Sequence, residues 1–162
     1  MDITKAFKLL MAQEGISLTA VKNDRGGLTK FGIAQSAHPT LDIAKLTPEQ
    51  AIEIYAGEYW GPAKCSALKT ELQYITFSCA VNCGVGSAVR ILQRAARVTV
   101  DGLIGDNTIH ASEKVSIQDF AIEWAAYYAT IIKHNPSQSE FKEGWNNRID
   151  TILKWYQQNQ LQ

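Results

Sequence analysis

The hydrophobic positions at the start of the chain follow a helical period. Ile3, Phe7, Leu10 and Met11 recur at spacings that place them on one face of a helix. The pattern predicts an amphipathic first helix that ends at residues 14–15, where a glycine can adopt the left-handed conformation.

The helical period is lost over residues 16–33. Residues 23–27 form a dense turn signal of Asn, Asp and Gly, and short β-like pieces lie on either side, at residues 18–21 and 28–33. This segment predicts a small β-hairpin or an irregular element.

Helical signals return after residue 46. Thr47 is a predicted N-cap, Pro48 occupies the first helical position and Gln50 completes a capping box, so a second helix is expected to reach about Trp60. Further helices are predicted at residues 72–81, 87–97, 117–132 and 139–156, with a short one after residue 106. The fold class is therefore mainly α, with a small element between the first two helices and a boundary near residue 98.

Composition is that of an ordinary globular domain. The 162 residues are 46% hydrophobic and 20% charged, and the formal net charge is zero. Each half of the chain carries equal numbers of acidic and basic residues, so no basic lobe indicates a nucleic-acid partner. No apolar run has the length of a signal sequence or of a membrane span. We expect a monomer that is made in the cytoplasm and does not insert stably into a membrane.

The cysteines and histidines do not form a metal or nucleophile pattern. Cys65, Cys79 and Cys83 are an odd number of thiols, and the three histidines are scattered. We predict buried thiols, no metal and no cofactor. A cysteine peptidase or a zinc amidase is disfavoured because no histidine has the partners that these enzymes require.

Candidate chemistry is concentrated between residues 14 and 33. Glu14 ends the first helix, and Asp24 lies in the turn beside Gly26 and Gly27. Glycoside cleavage requires one carboxylic acid for the leaving oxygen and a second carboxylate for water or for the developing positive charge. The alternative is that Glu14 is a solvated residue and Asp24 bonds its own turn backbone.

This segment resembles the signature of the glycoside hydrolase 108 family, whose members are N-acetylmuramidases found among phage endolysins and related bacterial proteins. The matching positions are Glu14, Asp24, Gly26, Gly27, Thr29, Gly32 and Ile33. Two positions depart from the pattern: Ile16 replaces a glycine and Arg25 replaces a proline. These departures affect the loop rather than the acid.

The resemblance continues along the chain. Residues 47–60 resemble the second helix of the family, residues 77–93 its A-V-N-x-G and L-Q motifs, and residues 101–108 and 141–148 the two ends of its peptidoglycan-binding module. It implies a lysozyme-like helical fold. It also implies a catalytic muramidase region at residues 1–97 and a peptidoglycan-binding-like helical region at residues 98–162, packed as one compact body.

The order Glu, Asp, Thr also resembles that of phage T4-type lysozymes. This resemblance implies that Glu14 is the general acid, that Asp24 stabilises positive charge or orients water, and that Thr29 holds the attacking water. Carboxyl groups about 6.5–9.5 Å apart would invert the anomeric configuration, and a separation of about 5 Å would retain it.

Five residues are candidates for substrate binding. Gly26 and Gly27 would let the backbone approach a sugar closely. Tyr55 and Trp60 would either stack on sugar faces or belong to the core. Asn82 would bind an N-acetyl group or cap its helix.

The expected function is that of an endolysin that hydrolyses the β-1,4 bond between N-acetylmuramic acid and N-acetylglucosamine. Its partner would be the glycan strands of bacterial peptidoglycan. It would need a holin or another export route to reach the wall, in the periplasm of a Gram-negative host. The alternatives are a lytic transglycosylase, which acts on the same bond without water, and a catalytically silent wall-binding or secretion-assisting protein.

Overall fold

The computed structural model describes residues 1–16, 21–23 and 27–160. Within these ranges, the chain forms seven α-helices, which are α1 (Ile3–Glu14), α2 (Pro48–Tyr55), α3 (Thr70–Cys83), α4 (Val85–Ala95), α5 (Asp106–Ser112), α6 (Ile117–His134) and α7 (Lys142–Gln160). Three short strands are β1 (Val21–Asn23), β2 (Gly27–Lys30) and β3 (Ile33–Ala34). The predicted mainly α class, with a small β element between the first two helices, is confirmed.

The chain divides into two compact units. The N-terminal unit contains Asp2–Glu58, and the C-terminal unit contains Met1 and Tyr59–Gln162. The predicted boundary between residues 1–97 and residues 98–162 stays a prediction. No helix in the described part of the chain is both long enough and apolar enough to cross a membrane.

The N-terminal unit is built on α1, α2 and an antiparallel sheet in the order β1-β2-β3. Asp2 caps α1 by accepting a hydrogen bond from the backbone of Lys5 at 2.8 Å. The predicted capping box of α2 is present between Thr47 and Gln50. The α-helical part of α2 ends earlier than predicted, because Ala56–Trp60 forms a π-helical turn.

The C-terminal unit surrounds α3. Every residue from 72 to 80 is buried, and α3 contacts α4 and α6. The predicted helices in this unit are confirmed with shifted ends. The largest shift is at α7, where residues 136–141 form a separate 3-10 helix before the α-helix begins.

Gln93 connects two motifs that are separate in the sequence. Its buried side-chain amide donates to Asp101 Oδ1 at 2.7 Å and to the carbonyl of Leu103 at 3.0 Å, and its oxygen accepts from the backbone of Gly102 at 2.9 Å. The hydrogen bond from the backbone of Leu103 and that from Gln93 lower the pKa of Asp101. The L-Q motif therefore holds the D-G turn.

The 141–148 motif fixes α7 against α6. The ring of Trp145 stacks on that of Tyr128 with centroids 4.4 Å apart and planes 12° apart. Arg148 Nη1 donates to the hydroxyl of Tyr128 at 3.4 Å. One tyrosine of α6 thus receives both an aromatic and a polar contact from α7, which explains why the motif combines tryptophan with arginine.

Cys83 differs from the other two cysteines. Cys65 and Cys79 are buried, as predicted, but Cys83 is half-buried and has polar neighbours. Trp124 Nε1 donates to Cys83 Sγ at 3.3 Å, and the hydroxyl of Tyr128 lies 3.5 Å from the same sulfur. The hydrogen bond from Cys79, supported by Tyr128, Trp124 and the charge of Arg148, lowers the pKa of Cys83 to about 7.

We predict that iodoacetamide alkylates Cys83 before Cys65 and Cys79 in the folded protein. The thiolate is the nucleophile, so the rate should rise as the pH increases through about 7 and level off above it. Intact-mass and peptide mass spectrometry at several pH values measure this.

The control is Cys83→Ser, which should remove the fast-reacting site. Arg148→Gln should move the midpoint to higher pH, because it removes a charge that favours the thiolate. A wild-type midpoint near the ordinary thiol pKa of about 8.5 would contradict the assignment.

Candidate active site

Glu14 is the final residue of α1, and its side chain is half-buried. The helix is anchored by its buried face, which includes Phe7, Leu10 and Met11. It ends because Gly15 adopts a left-handed conformation with φ 61°, from which its N–H bonds the carbonyl of Met11. The predicted acid therefore lies at a fixed point, where the chain leaves a packed helix.

Thr29 lies in β2, the central strand of the sheet. It is paired with Val21 of β1 and with Ala34 of β3, so its backbone is held on both sides. Its side chain is half-buried. Gly27 begins the same strand, opposite Asn23, and is exposed.

Asp24 and Gly26 lie outside the described residues, as does Arg25. In the sequence they fall between Asn23 and Gly27, which form the last residue pair of the β1–β2 ladder. Their predicted roles as second carboxylate and as glycan contact stay predictions.

A two-residue turn joins β2 to β3. Phe31 and Gly32 have φ values of 52° and 76°, and the flanking residues Lys30 and Ile33 are paired. Two positive φ values are typical of the type I′ turn that suits a tight hairpin. Phenylalanine is unusual in this conformation, which costs an L-residue about 1–2 kcal/mol.

Packing from both helices offsets this cost. The hydroxyl of Tyr55 on α2 donates to the carbonyl of Phe31 at 3.0 Å. Phe7 on α1 makes edge contacts with the rings of Phe31 and Tyr55, at centroid distances of 6.3 and 5.3 Å. A Cβ on Gly32 would lie 2.7 Å from the hydroxyl of Tyr55, so only glycine fits beside this bond.

The structure places Tyr55 and Trp60 in buried positions. Tyr55 is 4% exposed and Trp60 is 6% exposed. The indole of Trp60 donates to Ser66 Oγ at 2.7 Å and meets Phe77 edge-on within the C-terminal unit. This burial favours the core alternative for both residues. The sequence left this choice open. It also did not reveal the hydrogen bond from Tyr55 to Phe31, because residue spacing does not show which group a tyrosine hydroxyl contacts.

Asn82 lies near the end of α3 and is exposed. Its side-chain amide donates to the carbonyl of Ser78 at 2.9 Å, one helical turn earlier. Both alternatives for Asn82, the contact with an N-acetyl group and the helix cap, stay predictions.

An apolar cavity of about 550 Å³ lies beside the end of α1 within the N-terminal unit. It is lined by Met11, Gly15 and Ile16, by Phe31, and by Pro48 and other residues of both helices. Lys8 is the one ionisable residue among those that line it in the described part of the chain. No group of three or more metal-binding side chains is present among the described residues.

Comparison with known families identifies both parts of the chain. Residues 7–84 match the model of the family described as glycosyl hydrolase 108, and residues 87–150 match a predicted peptidoglycan domain. The N-terminal half of the chain is therefore similar to the glycosyl hydrolase 108 family.

The chain is also similar to a solved structure, that of SagA from Brucella abortus. The two share 26% sequence identity and a TM-score of 0.73, over 93% of this chain and 90% of the other. No curated protein matches the chain significantly. The lysozyme-like fold is confirmed, and the two family matches support a glycoside hydrolase that acts on peptidoglycan.

We predict that Gly32→Ala lowers the free energy of unfolding by about 2–4 kcal/mol, because the new methyl group meets both the left-handed backbone and the Tyr55 hydroxyl. Gly57→Ala is the matched control in the same unit, since a Cβ there meets nothing within 4 Å. Urea unfolding of each variant measures the change.

A double-mutant cycle tests the mechanism. Tyr55→Phe alone should cost about 1 kcal/mol through the lost hydrogen bond, and it also removes the atom that the added methyl group would strike. Gly32→Ala combined with Tyr55→Phe should therefore cost less than the sum of the two. Strict additivity would contradict the predicted collision.

Proposed function

We propose that this chain is an endolysin-type N-acetylmuramidase, which hydrolyses the β-1,4 bond between N-acetylmuramic acid and N-acetylglucosamine. The observation that carries the proposal is the position of Glu14. It ends a packed helix at a left-handed glycine, and it lies within the residues that match the glycosyl hydrolase 108 family.

Glu14 acts as the general acid. Its carboxyl proton moves to the glycosidic oxygen as the bond from that oxygen to the anomeric carbon breaks, and the leaving sugar departs as an alcohol. A half-buried position at a helix end suits this role, because the carboxyl is oriented by α1 rather than by a loop.

A water molecule completes the reaction by bonding to the anomeric carbon. Thr29, held in the central strand, positions that water through its hydroxyl group. Asp24 either takes a proton from the water or stabilises the positive charge on the sugar ring while the Glu14 carboxylate takes that proton. The first role predicts inversion, and the anomer of the initial product, observed by proton NMR, distinguishes the two.

Several further features belong to the same proposal. Gly26, Gly27 and Asn82 contact the glycan, and the region after residue 97 contributes to wall binding. The protein is made in a host cytoplasm, works as a monomer and reaches the wall with the help of a holin. These features are supported by the family resemblance and by the match of residues 87–150 to a predicted peptidoglycan domain.

We predict that purified peptidoglycan digested with the wild-type protein yields fragments with reducing-end muramic acid. Glu14→Gln should lower the rate of release by about two to four orders of magnitude, because the amide has no proton to donate. Mass spectrometry of the released muropeptides measures both. Glu49→Gln, an exposed acid in the first turn of α2, is the matched control and should retain activity.

Three results would contradict this proposal. Anhydro-muramic acid in the products would indicate a lytic transglycosylase. Full activity of Glu14→Gln, with the fold verified by circular dichroism, would remove Glu14 from the mechanism. Wall binding without release of fragments by the wild type would indicate a catalytically silent wall-binding protein.

A further inference from the structure

A second cavity lies within the C-terminal unit, which does not contain Glu14, Asp24 or Thr29. Its volume is about 440 Å³, and it is lined by Arg97, His110, Lys114, Asp119 and a small apolar floor that includes Ala111. All of these residues fall inside the segment that matches a predicted peptidoglycan domain. We call this cavity the basic pocket.

The basic side chains of this pocket lie at the surface of the C-terminal unit. Arg97, His110 and Lys114 are exposed, and none of their side chains makes a hydrogen bond or an ion pair with another described residue. Exposed cations without internal partners can bind an anionic ligand without first breaking a contact.

The carboxylate of Asp119, by contrast, already accepts hydrogen bonds within the C-terminal unit. Its Oδ2 accepts hydrogen bonds from the Ser116 hydroxyl at 2.6 Å and from the Ser116 backbone at 3.1 Å, which completes the capping box of α6. Those bonds, with help from the charges of Arg97 and Lys69, lower the pKa of Asp119. The pocket therefore offers basic side chains that have no hydrogen-bonded partner among the described residues, and one carboxylate that has its own donors.

The backbone at Arg97 is unusual for its residue type. It follows α4 with φ 55°, a left-handed conformation that favours glycine. Its N–H bonds the carbonyl of Arg94 at 3.0 Å, and the N–H of Val98 bonds that of Gln93 at 3.1 Å. Glycine would suit this backbone conformation better than arginine does.

We propose that the basic pocket binds a carboxylate of the peptide stem of peptidoglycan, an inference that rests on the proposed action on that polymer. N-acetylglucosamine is uncharged, whereas the stem peptide carries carboxylates and small methyl side chains. The guanidinium and ammonium groups match the carboxylates, and the alanine floor matches the methyl groups.

The test uses a ligand that lacks the scissile bond. The soluble N-acetylglucosaminyl-N-acetylmuramyl tetrapeptide carries the stem but not the muramic acid–glucosamine linkage that the enzyme cuts. Its binding to the full-length wild type is measured by isothermal titration calorimetry, next to the same ligand with its stem carboxylates amidated. The ligand with free stem carboxylates should bind more tightly.

Arg97→Gly and Lys114→Gln should each weaken binding of the ligand with free stem carboxylates on the order of fivefold and leave binding of the amidated ligand unchanged. Arg97→Gly relieves the left-handed strain, so lost binding cannot be attributed to unfolding. Lys133→Gln, an exposed cation in the last turn of α6, is the matched control.

Equal binding of the two ligands, or unchanged binding by both pocket variants, would overturn the proposal. Stronger competition by glycerol phosphate than by the peptide would also overturn it, in favour of a phosphate site. Release of fragments from whole peptidoglycan is scored separately. Stem discrimination without release would refute the muramidase and leave the pocket intact.

Discussion

The hydrogen bond from the Tyr55 hydroxyl to the carbonyl of Phe31 is the constraint on which the N-terminal unit depends. It joins α2 to a turn whose backbone is unfavourable for phenylalanine, and it occupies the space that a side chain at position 32 would need. Phe7 brings α1 into the same cluster. The helix that ends at Glu14 and the strand that carries Thr29 are therefore held by one small aromatic core.

This arrangement explains why the candidate catalytic groups lie where regular structure meets loops. Glu14 takes its orientation from a helix and Thr29 from the centre of a sheet, so both take their positions from regular structure. In the proposed mechanism, Asp24 supplies the second carboxylate. In the C-terminal unit, Gln93 plays a comparable part by holding the turn at Asp101 with its buried amide.

Much of this architecture could be predicted from local signals. The start of α2 was predictable because Thr47, Pro48 and Gln50 are residue types that begin helices. The end of α1 was predictable because Gly15 comes shortly after the apolar period of that helix ends at Met11. The small β element was predictable from the loss of that period. The π-helical turn at Ala56–Trp60 was not, because residues 48–60 keep a helical pattern whichever backbone hydrogen bonds they form.

Contacts between residues that are far apart in the chain could not be predicted from the sequence. Nothing in the spacing of Cys83 shows that Trp124 and Tyr128 will surround its sulfur, and nothing near Arg97 shows that His110 and Lys114 will line the same cavity. Glu14 could be proposed as the acid because it lies in a recognisable sequence motif. The function of such a site is therefore read from family pattern first and from geometry second.

The central claim is that Glu14 protonates the bond to be broken. A crystal structure of Glu14→Gln bound to a peptidoglycan tetrasaccharide tests this most directly, because the amide keeps the size of the acid but does not cleave. The account predicts that the oxygen of the central muramic acid–glucosamine linkage lies about 3 Å from the side chain at position 14. A glycan bound with that oxygen beyond the reach of residue 14, and beside a different carboxyl group, would contradict it.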